Sequence, residues 1–188
     1  MNASDLHIEL ARLTGLVHHR WNILVIAALH RHSGAKFITL LNHLKVSRGS
    51  LSASLAHLTD LGYVRRNLGH GHPMRPEYLL TPQGIMIADE CLSLVRLLQR
   101  TGELDLAFRK WTLPLVFAIG ERRLRFNQLR ASLHDATPRA IAIGLKSLLA
   151  NGWAARSLID DYPPTAGYEL RTKGQRILVC VSSLCRPG

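Results

Sequence analysis

Apolar residues recur along this chain in blocks at helical spacing, and the blocks come in the same order twice. Behind Trp21, the residues Ile23, Leu24, Ile26, Ala27 and Ala28 place a broad apolar stripe on one helix, which Ser33 and Gly34 bring to an end. Phe37, Leu40, Leu41 and Leu44 repeat at three and four residues and predict a second, short helix that stops around Lys45 and Val46. Ser47 has the chemistry of an N-cap, and Leu51, Leu55 and Leu58 mark the buried face of a third helix that Gly62 terminates in the left-handed conformation. Past Gly62 the pattern changes. Tyr63, Val64, Arg65 and Arg66, then a segment holding Gly69, Gly71 and Pro73, then Tyr78, Leu79 and Leu80 read as strand, turn and strand. Pro82 and Gly84 return the chain to a long helix carried by Ile85, Ile87, Ala88, Cys91, Leu92, Leu94, Val95 and Leu98 and closed near Thr101 and Gly102.

The same order follows 90 residues later. Trp21, Ser47, Leu51, Leu55, Leu58, Gly62, Tyr63, Tyr78, Leu80 and Gly84 correspond to Trp111, Thr137, Ile141, Leu145, Leu148, Gly152, Trp153, Tyr168, Leu170 and Gly174. A period this long exceeds that of solenoid repeats, so each copy is expected to fold around its own core. Two domains are predicted, residues 1–100 and 101–188. In the second copy Leu113 to Ile119 gives the first helix, and Phe126, Leu129 and Leu133 the second. Thr137 caps the third, with Pro138 at its first position where a missing N–H is harmless. The hairpin runs from Trp153 to Leu170, and its tip, Asp160, Asp161, Tyr162, Pro163 and Pro164, differs from the Gly69, His70, Gly71, His72 of the first copy.

An apolar fraction of 47% excludes a largely disordered chain. No run approaches the about 18 apolar residues of a membrane span, and residues 1–15, which include Asp5 and Glu9, lack the layout of a signal peptide. A soluble, cytoplasmic protein with no membrane partner is expected. Cys91, Cys180 and Cys185 show no C-x-x-C spacing; Cys91 and Cys180 lie in apolar helical runs and are expected to be buried and inert, with Cys185 left open. The net charge of +11 changes the picture more. Residues 1–100 carry +5 and residues 101–188 carry +6, so both copies are basic and both favour a polyanionic partner.

Residues 20–84 resemble the winged helix-turn-helix regulators of MarR-like type. The matching stretches are Leu44-Lys45-Val46-Ser47-Arg48-Gly49-Ser50-Leu51-Ser52, Leu58-Thr59-Asp60-Leu61-Gly62-Tyr63-Val64 and Tyr78-Leu79-Leu80-Thr81-Pro82-Gln83-Gly84. Residues 109–174 are similar to the HxlR branch through Arg109-Lys110-Trp111-Thr112, Arg125-Phe126-Asn127-Gln128-Leu129, Thr137-Pro138-Arg139 and Tyr168-Glu169-Leu170. The resemblance implies an α+β, mainly α fold of two consecutive winged helix-turn-helix domains in one chain. It also implies a bacterial, nucleoid-associated transcription regulator that binds double-stranded DNA. Redox-sensing members of the HxlR branch carry a Cys shortly before the Lys-Trp pair; here Leu106, Ala107, Phe108 and Arg109 fill that stretch, so thiol sensing does not carry over.

In such a domain the third helix enters the major groove with its N-terminal residues at the base edges, while the hairpin, or wing, meets the backbone. The outward positions in the first copy are expected to be Ser47, Arg48, Ser50, Ser52, Ser54 and His57, around the Leu51, Leu55, Leu58 stripe. Arg48 is the strongest single candidate, because a guanidinium can pair with guanine or clamp a phosphate. Arg65 and Arg66 on the first wing strand and Arg75 on its return would hold phosphates. In the second copy Thr137, Arg139 and Lys146 stand on the recognition helix and Arg125 before it, in a cluster with Arg122, Arg123 and Arg130. Ala140, Ala142, Ile143 and Gly144 leave that helix few groups able to hydrogen-bond bases. The first copy is therefore expected to read sequence, and the second to add charge or to pack against a partner.

Nine of the ten histidines fall in residues 1–100. Metal binding is disfavoured, since His18 and His19 are adjacent and should point apart, and no acid or Cys stands beside them at ligand spacing. Charging of His57, His70 or His72 is an alternative to ordinary surface histidine. With no phosphate loop, H-E-x-x-H or G-x-S-x-G, neither an enzyme nor a cofactor is expected. The competing function is a tandem winged-helix adaptor that joins proteins without reading DNA. A small-molecule effector stays open, as does the choice between a monomer acting as a pseudo-dimer and a homodimer.

Overall fold

The computed structural model describes residues 3–67, 77–120, 122–159 and 165–185; Arg75, His70, His72 and the tip from Asp160 to Pro164 lie outside the described residues. The elements in chain order are α1 (Ala3–Leu16), α2 (Asn22–His32), β1 (Ala35–Lys36), α3 (Phe37–Leu44), α4 (Arg48–Asp60), β2 (Val64–Asn67), β3 (Glu77–Leu80) and α5 (Pro82–Thr101). The series continues with α6 (Leu104–Ala107), α7 (Thr112–Ile119), β4 (Leu124–Arg125), α8 (Phe126–Ser132), α9 (Pro138–Ala150), β5 (Ala154–Ile159), β6 (Thr165–Leu170) and α10 (Thr172–Cys185). The fold is α+β, mainly α, with a winged helix-turn-helix in each half.

Two compact units result, one of Leu16–Gly102 and one that joins the N-terminal residues through Gly15 to Glu103 and beyond. The sequence pattern had not revealed α1. Its Leu6, Leu10 and Leu13 form a helical stripe, with Leu10 and Leu13 buried. Arg12 Nη1 donates to the Cys185 carbonyl at 3.0 Å, and the His7 ring stacks on His134 at 4.4 Å. α1 is thus part of the unit built on the second copy.

In the Leu16–Gly102 unit, Ser33 (φ 52°) and Gly34 (φ 110°) end α2, and Lys45 (φ 50°) ends α3. Lys45 holds a left-handed conformation that usually falls to Gly or Asn. A three-stranded antiparallel sheet follows in the order β1-β3-β2, with Val64 opposite Leu80 and Arg66 opposite Tyr78. The other unit repeats it as β4-β6-β5, with Ala154 opposite Leu170 and Arg156 opposite Tyr168.

β1 and β4 were not predicted, and they show where the repeat slips. Ala35 and Leu124 face Tyr78 and Tyr168, so this strand, like Phe37 and Phe126 after it, is one residue short of the 90-residue offset. The offset is restored at the caps Ser47 and Thr137, because the turn after α8 is longer than the turn after α3.

The wing is tied to the helix behind it by one close approach. Tyr63 N–H donates to the Leu58 carbonyl at 2.9 Å, and the Tyr63 carbonyl accepts from Thr81 N–H at 3.1 Å. Gly84, one turn into α5, lies so close that a Cβ would run into that same carbonyl oxygen. Trp153, Arg171 and Gly174 repeat the arrangement, with N–H donation to Leu148 at 2.9 Å and acceptance from Arg171 at 2.9 Å. Since the obstacle is backbone, Gly84→Ala and Gly174→Ala should each lower stability by about 1 to 3 kcal/mol, read by urea denaturation; an unchanged midpoint would show that the approach is not tight.

Candidate nucleic-acid interface

α4 starts with a worked cap. Ser47 Oγ accepts from Ser50 N–H at 3.2 Å and donates to Ser50 Oγ at 2.9 Å, which leaves the Ser50 hydroxyl proton free to point outward. Arg48, Gly49, Ser52, Ala53 and Ala56 are exposed beyond it, and Leu51, Leu55 and Leu58 are buried behind. The structure brings Ser47, Arg48, Ser50 and Ser52 to one surface at the start of the helix.

Two expected outward residues are not outward. Ser54 is 0% exposed, one position before Leu55 on the inner face, and its Oγ has no hydrogen-bond partner. A three-residue step from Leu51 carries it into the core, which a two-class reading of polar against apolar could not foresee. His57 is half-buried and turned toward the start of α2. Its Nδ1 lies 2.9 Å from Asn22 Nδ2, and that same amide nitrogen donates to the Leu16 carbonyl at 2.8 Å. The carbonyl can only accept, so it fixes the amide with NH₂ toward His57, whose Nδ1 must then be the unprotonated acceptor. Asn22 is fully buried, a polar residue where the sequence pattern leads to an apolar one.

His18 and His19 complete a cluster that adjacency in sequence had seemed to forbid. They precede α2 in a turn, where the helical rule of opposite faces does not apply, and their rings lie 5.3 and 4.9 Å from that of His57. Burial first, then His19 and His18, hold the His57 pKa below its ordinary 6.5, with Asp60 opposing. His19 is lowered by burial and by His18. No group of three or more ligand-type residues able to hold a metal occurs among the described residues.

On the wing, Arg65 and Arg66 are both exposed, but neighbours on a strand project to opposite faces. Arg66 shares the side of buried Val64 and Arg65 takes the other, so the two cannot grip one stretch of backbone together. The second copy shows a parallel surface. Thr137 Oγ1 accepts from Ala140 N–H at 3.2 Å, and Arg139, Ala142, Ile143 and Lys146 are exposed on α9 opposite buried Ile141, Leu145 and Leu148. In the approach to α8, Arg123 is paired with Glu169 of β6 at 3.0 Å, and Arg125 is half-buried with its N–H bonded to Gln128 Oε1 at 2.8 Å. Arg122 and Arg130 are exposed.

Of the thiols, Cys91 is fully buried and burial pushes its pKa up, whereas Cys180, expected to be buried, is only half so; Cys185 is buried. The concavity lined by Leu24, Ala27, Ala28, Arg31, Leu92 and Val95 holds about 30 Å³, space for a water. No helix among the described residues is long and apolar enough to cross a membrane.

A model of the HxlR-like helix-turn-helix family matches the chain twice, over residues 16–104 and 106–188. An HTH-type transcriptional regulator of Halalkalibacterium halodurans is 28% identical over 86 residues, covering 45% of this chain and 76% of that protein. The HTH-type transcriptional regulator YdzF of Bacillus subtilis is 24% identical over 86 residues, with 45% and 79% covered. Among solved structures, the redox regulator HypR in its oxidised form is 26% identical at a TM-score of 0.42, over 46% of this chain and 89% of that one. A MarR-family regulator of Porphyromonas gingivalis is 23% identical at a TM-score of 0.42, with 46% and 83% covered.

Two outcomes follow from the inner face of α4. Ser54→Ala removes an orphaned buried hydroxyl and should leave stability equal or higher by up to about 1 kcal/mol; a marked loss in a denaturation curve would reveal a bond to that hydroxyl. The depressed His57 pKa means the unfolded chain takes up a proton first as pH falls through 6.5. Stability should be full at neutral and alkaline pH and decline in acid, until the folded ring also charges. Thermal melts from about pH 8 to about pH 5 should show this decline blunted in His57→Gln, and identical pH profiles for the two proteins would remove His57 as a contributor.

Proposed function

Because the chain belongs to the HxlR-like helix-turn-helix family, matched by both of its halves, we propose that it is a DNA-binding transcriptional regulator whose two winged helices engage two half-sites of one duplex. The observation that carries this reading is the pair of capped helices, each backed by three buried aliphatics and each presenting basic side chains outward: Arg48 on α4, Arg139 and Lys146 on α9. The N-terminal turn of α4 supplies Arg48, Ser50 and Ser52 to base edges in the major groove, with Ser47 as the cap that orders them. Arg65 and Arg75 of the first wing, and Arg125 and Thr137 of the second copy, meet phosphate and set register. Ser54 and His57 act from behind, through the placement of the helix.

One chain carrying two modules works as a pseudo-dimer, and the second module binds at the effective concentration its tether sets. The recognition helices differ, so the operator has two unlike halves rather than a palindrome. The protein acts in the cytoplasm on the nucleoid.

Selection of duplexes from a random pool should enrich one asymmetric motif. Binding to it should weaken steeply with salt, since several phosphate contacts release counterions. Arg48→Ala should lower affinity for the selected duplex by about 5- to 100-fold, the range expected for one base or phosphate contact. Binding that ignores salt and sequence, or capture of a protein with no duplex binding, would instead favour the adaptor.

A further inference from the structure

α9 bears an exposed apolar residue that the regulator reading does not yet use. Ile143 is 56% exposed in the middle of the helix, beside exposed Ala142 and between exposed Arg139 and Lys146. These four residues occupy one face, at spacings of three, four and seven. The helix cannot roll to hide them. Ile141, Leu145 and Leu148 are buried on the other side, and Gly144 lies so close to the Leu115 side chain that a Cβ would collide with it. An isoleucine held at the surface between two cations suits an occupant that is both anionic and locally apolar.

Duplex DNA has that combination in one place, the thymine 5-methyl group in the floor of a groove walled by phosphates. The hydrogen-bonding code is closed to the centre of this helix: Pro138 has no N–H, and Ala140, Ala142 and Ile143 carry no side-chain donor or acceptor. At the 90-residue offset, Ala142 and Ile143 replace Ser52 and Ala53. The second copy has exchanged a hydroxyl for a methyl and enlarged an alanine to an isoleucine at the same two surface positions.

We propose that α9 recognises thymine-rich sequence through the 5-methyl groups, with Ile143 and Ala142 packed on them and Arg139 and Lys146 on the flanking phosphates. This rests on the DNA-binding reading and deepens it, assigning sequence recognition to a helix that otherwise supplies only charge. Ile143 is the specificity-determining residue. Its contact is sequence-dependent without any hydrogen bond, and it distinguishes thymine from cytosine at the same step, since both are pyrimidines and only one carries the methyl.

The test uses the full chain and its selected duplex, with thymines replaced by deoxyuridine one half-site at a time, so that pairing is kept and only methyls are lost. In one half each replacement at a contacted step should weaken binding roughly threefold to fourfold, the effect of one buried methyl. Ile143→Ala should bind the unmodified duplex as weakly as wild type binds the uracil duplex, and should be indifferent to the replacement. Ile143→Val should retain most of the discrimination, and since the residue is at the surface, all three proteins should melt alike. Tight, salt-sensitive binding that ignores uracil in both halves would overturn the thymine inference and leave the regulator reading standing. Uracil sensitivity that survives in Ile143→Ala would overturn the assignment to Ile143. Failure of every duplex to bind would overturn the regulator reading and this inference together.

Discussion

Everything the two surfaces can do depends on one aromatic residue in each half, placed where recognition helix, wing and following helix meet. Tyr63 and Trp153 each bond through N–H to the last turn of the helix before and through the carbonyl to the strand end that leads into the helix after. The missing Cβ of Gly84 and Gly174 lets that later helix press on the same carbonyl. Three elements are thereby referred to a single peptide. A shift in any one would break a backbone hydrogen bond in a region largely shielded from water, at a cost of about 1 to 3 kcal/mol. A small domain with a short sheet holds its wing at a fixed angle to its recognition helix by this means.

That fixed frame explains why the recognition helices can spend their outer faces freely. Each is held from behind by three aliphatic residues at the same spacing and started by a hydroxyl cap, Ser47 or Thr137. The aliphatic backing draws on none of the outward positions, and the cap uses only the first. In α4 those positions are Arg48 and small residues, and in α9 they are Arg139, Ala142, Ile143 and Lys146. The scaffold is common to both halves and the surface is where they diverge.

The sequence was informative where one residue type has one physical use. Hydroxyl caps, left-handed glycines at Gly62 and Gly152, and leucine stripes at helical spacing are each tied to a local geometry, and they located α4, α9 and both hairpins. It was silent where the decisive partner is distant. Two-residue strands such as β1 and β4 have no period of their own and exist only through pairing with β3 and β6. α1 has a short apolar stripe that does not say which core it joins. At the site, Arg48 and Ser52 follow from the stripe behind them, and so does the inward place of Ser54, three residues after Leu51 and four before Leu58, once spacing rather than polarity is used; His57 does not, because a buried amide decides where it points. Asn22 carries a signal of its own, a polar residue set between Trp21 and the apolar run that begins at Ile23.

Joining two copies in one chain changes what each recognition surface is free to become. When identical chains pair about a two-fold axis, any substitution in a recognition helix appears in both half-sites at once, and the operator must change symmetrically with it. A tandem pair removes that coupling, because Ser52 and Ala142, or Ala53 and Ile143, are separate codons for equivalent places. One surface can then keep groups that donate and accept while the other trades them for methyls, as these two have done. The basic charge stays balanced between halves at +5 and +6, as expected if both must still approach a polyanion. Divergence in the groups that would read bases, with retention of the charge that would hold backbone, is the pattern that an unlike pair of half-sites would impose on a duplicated reader.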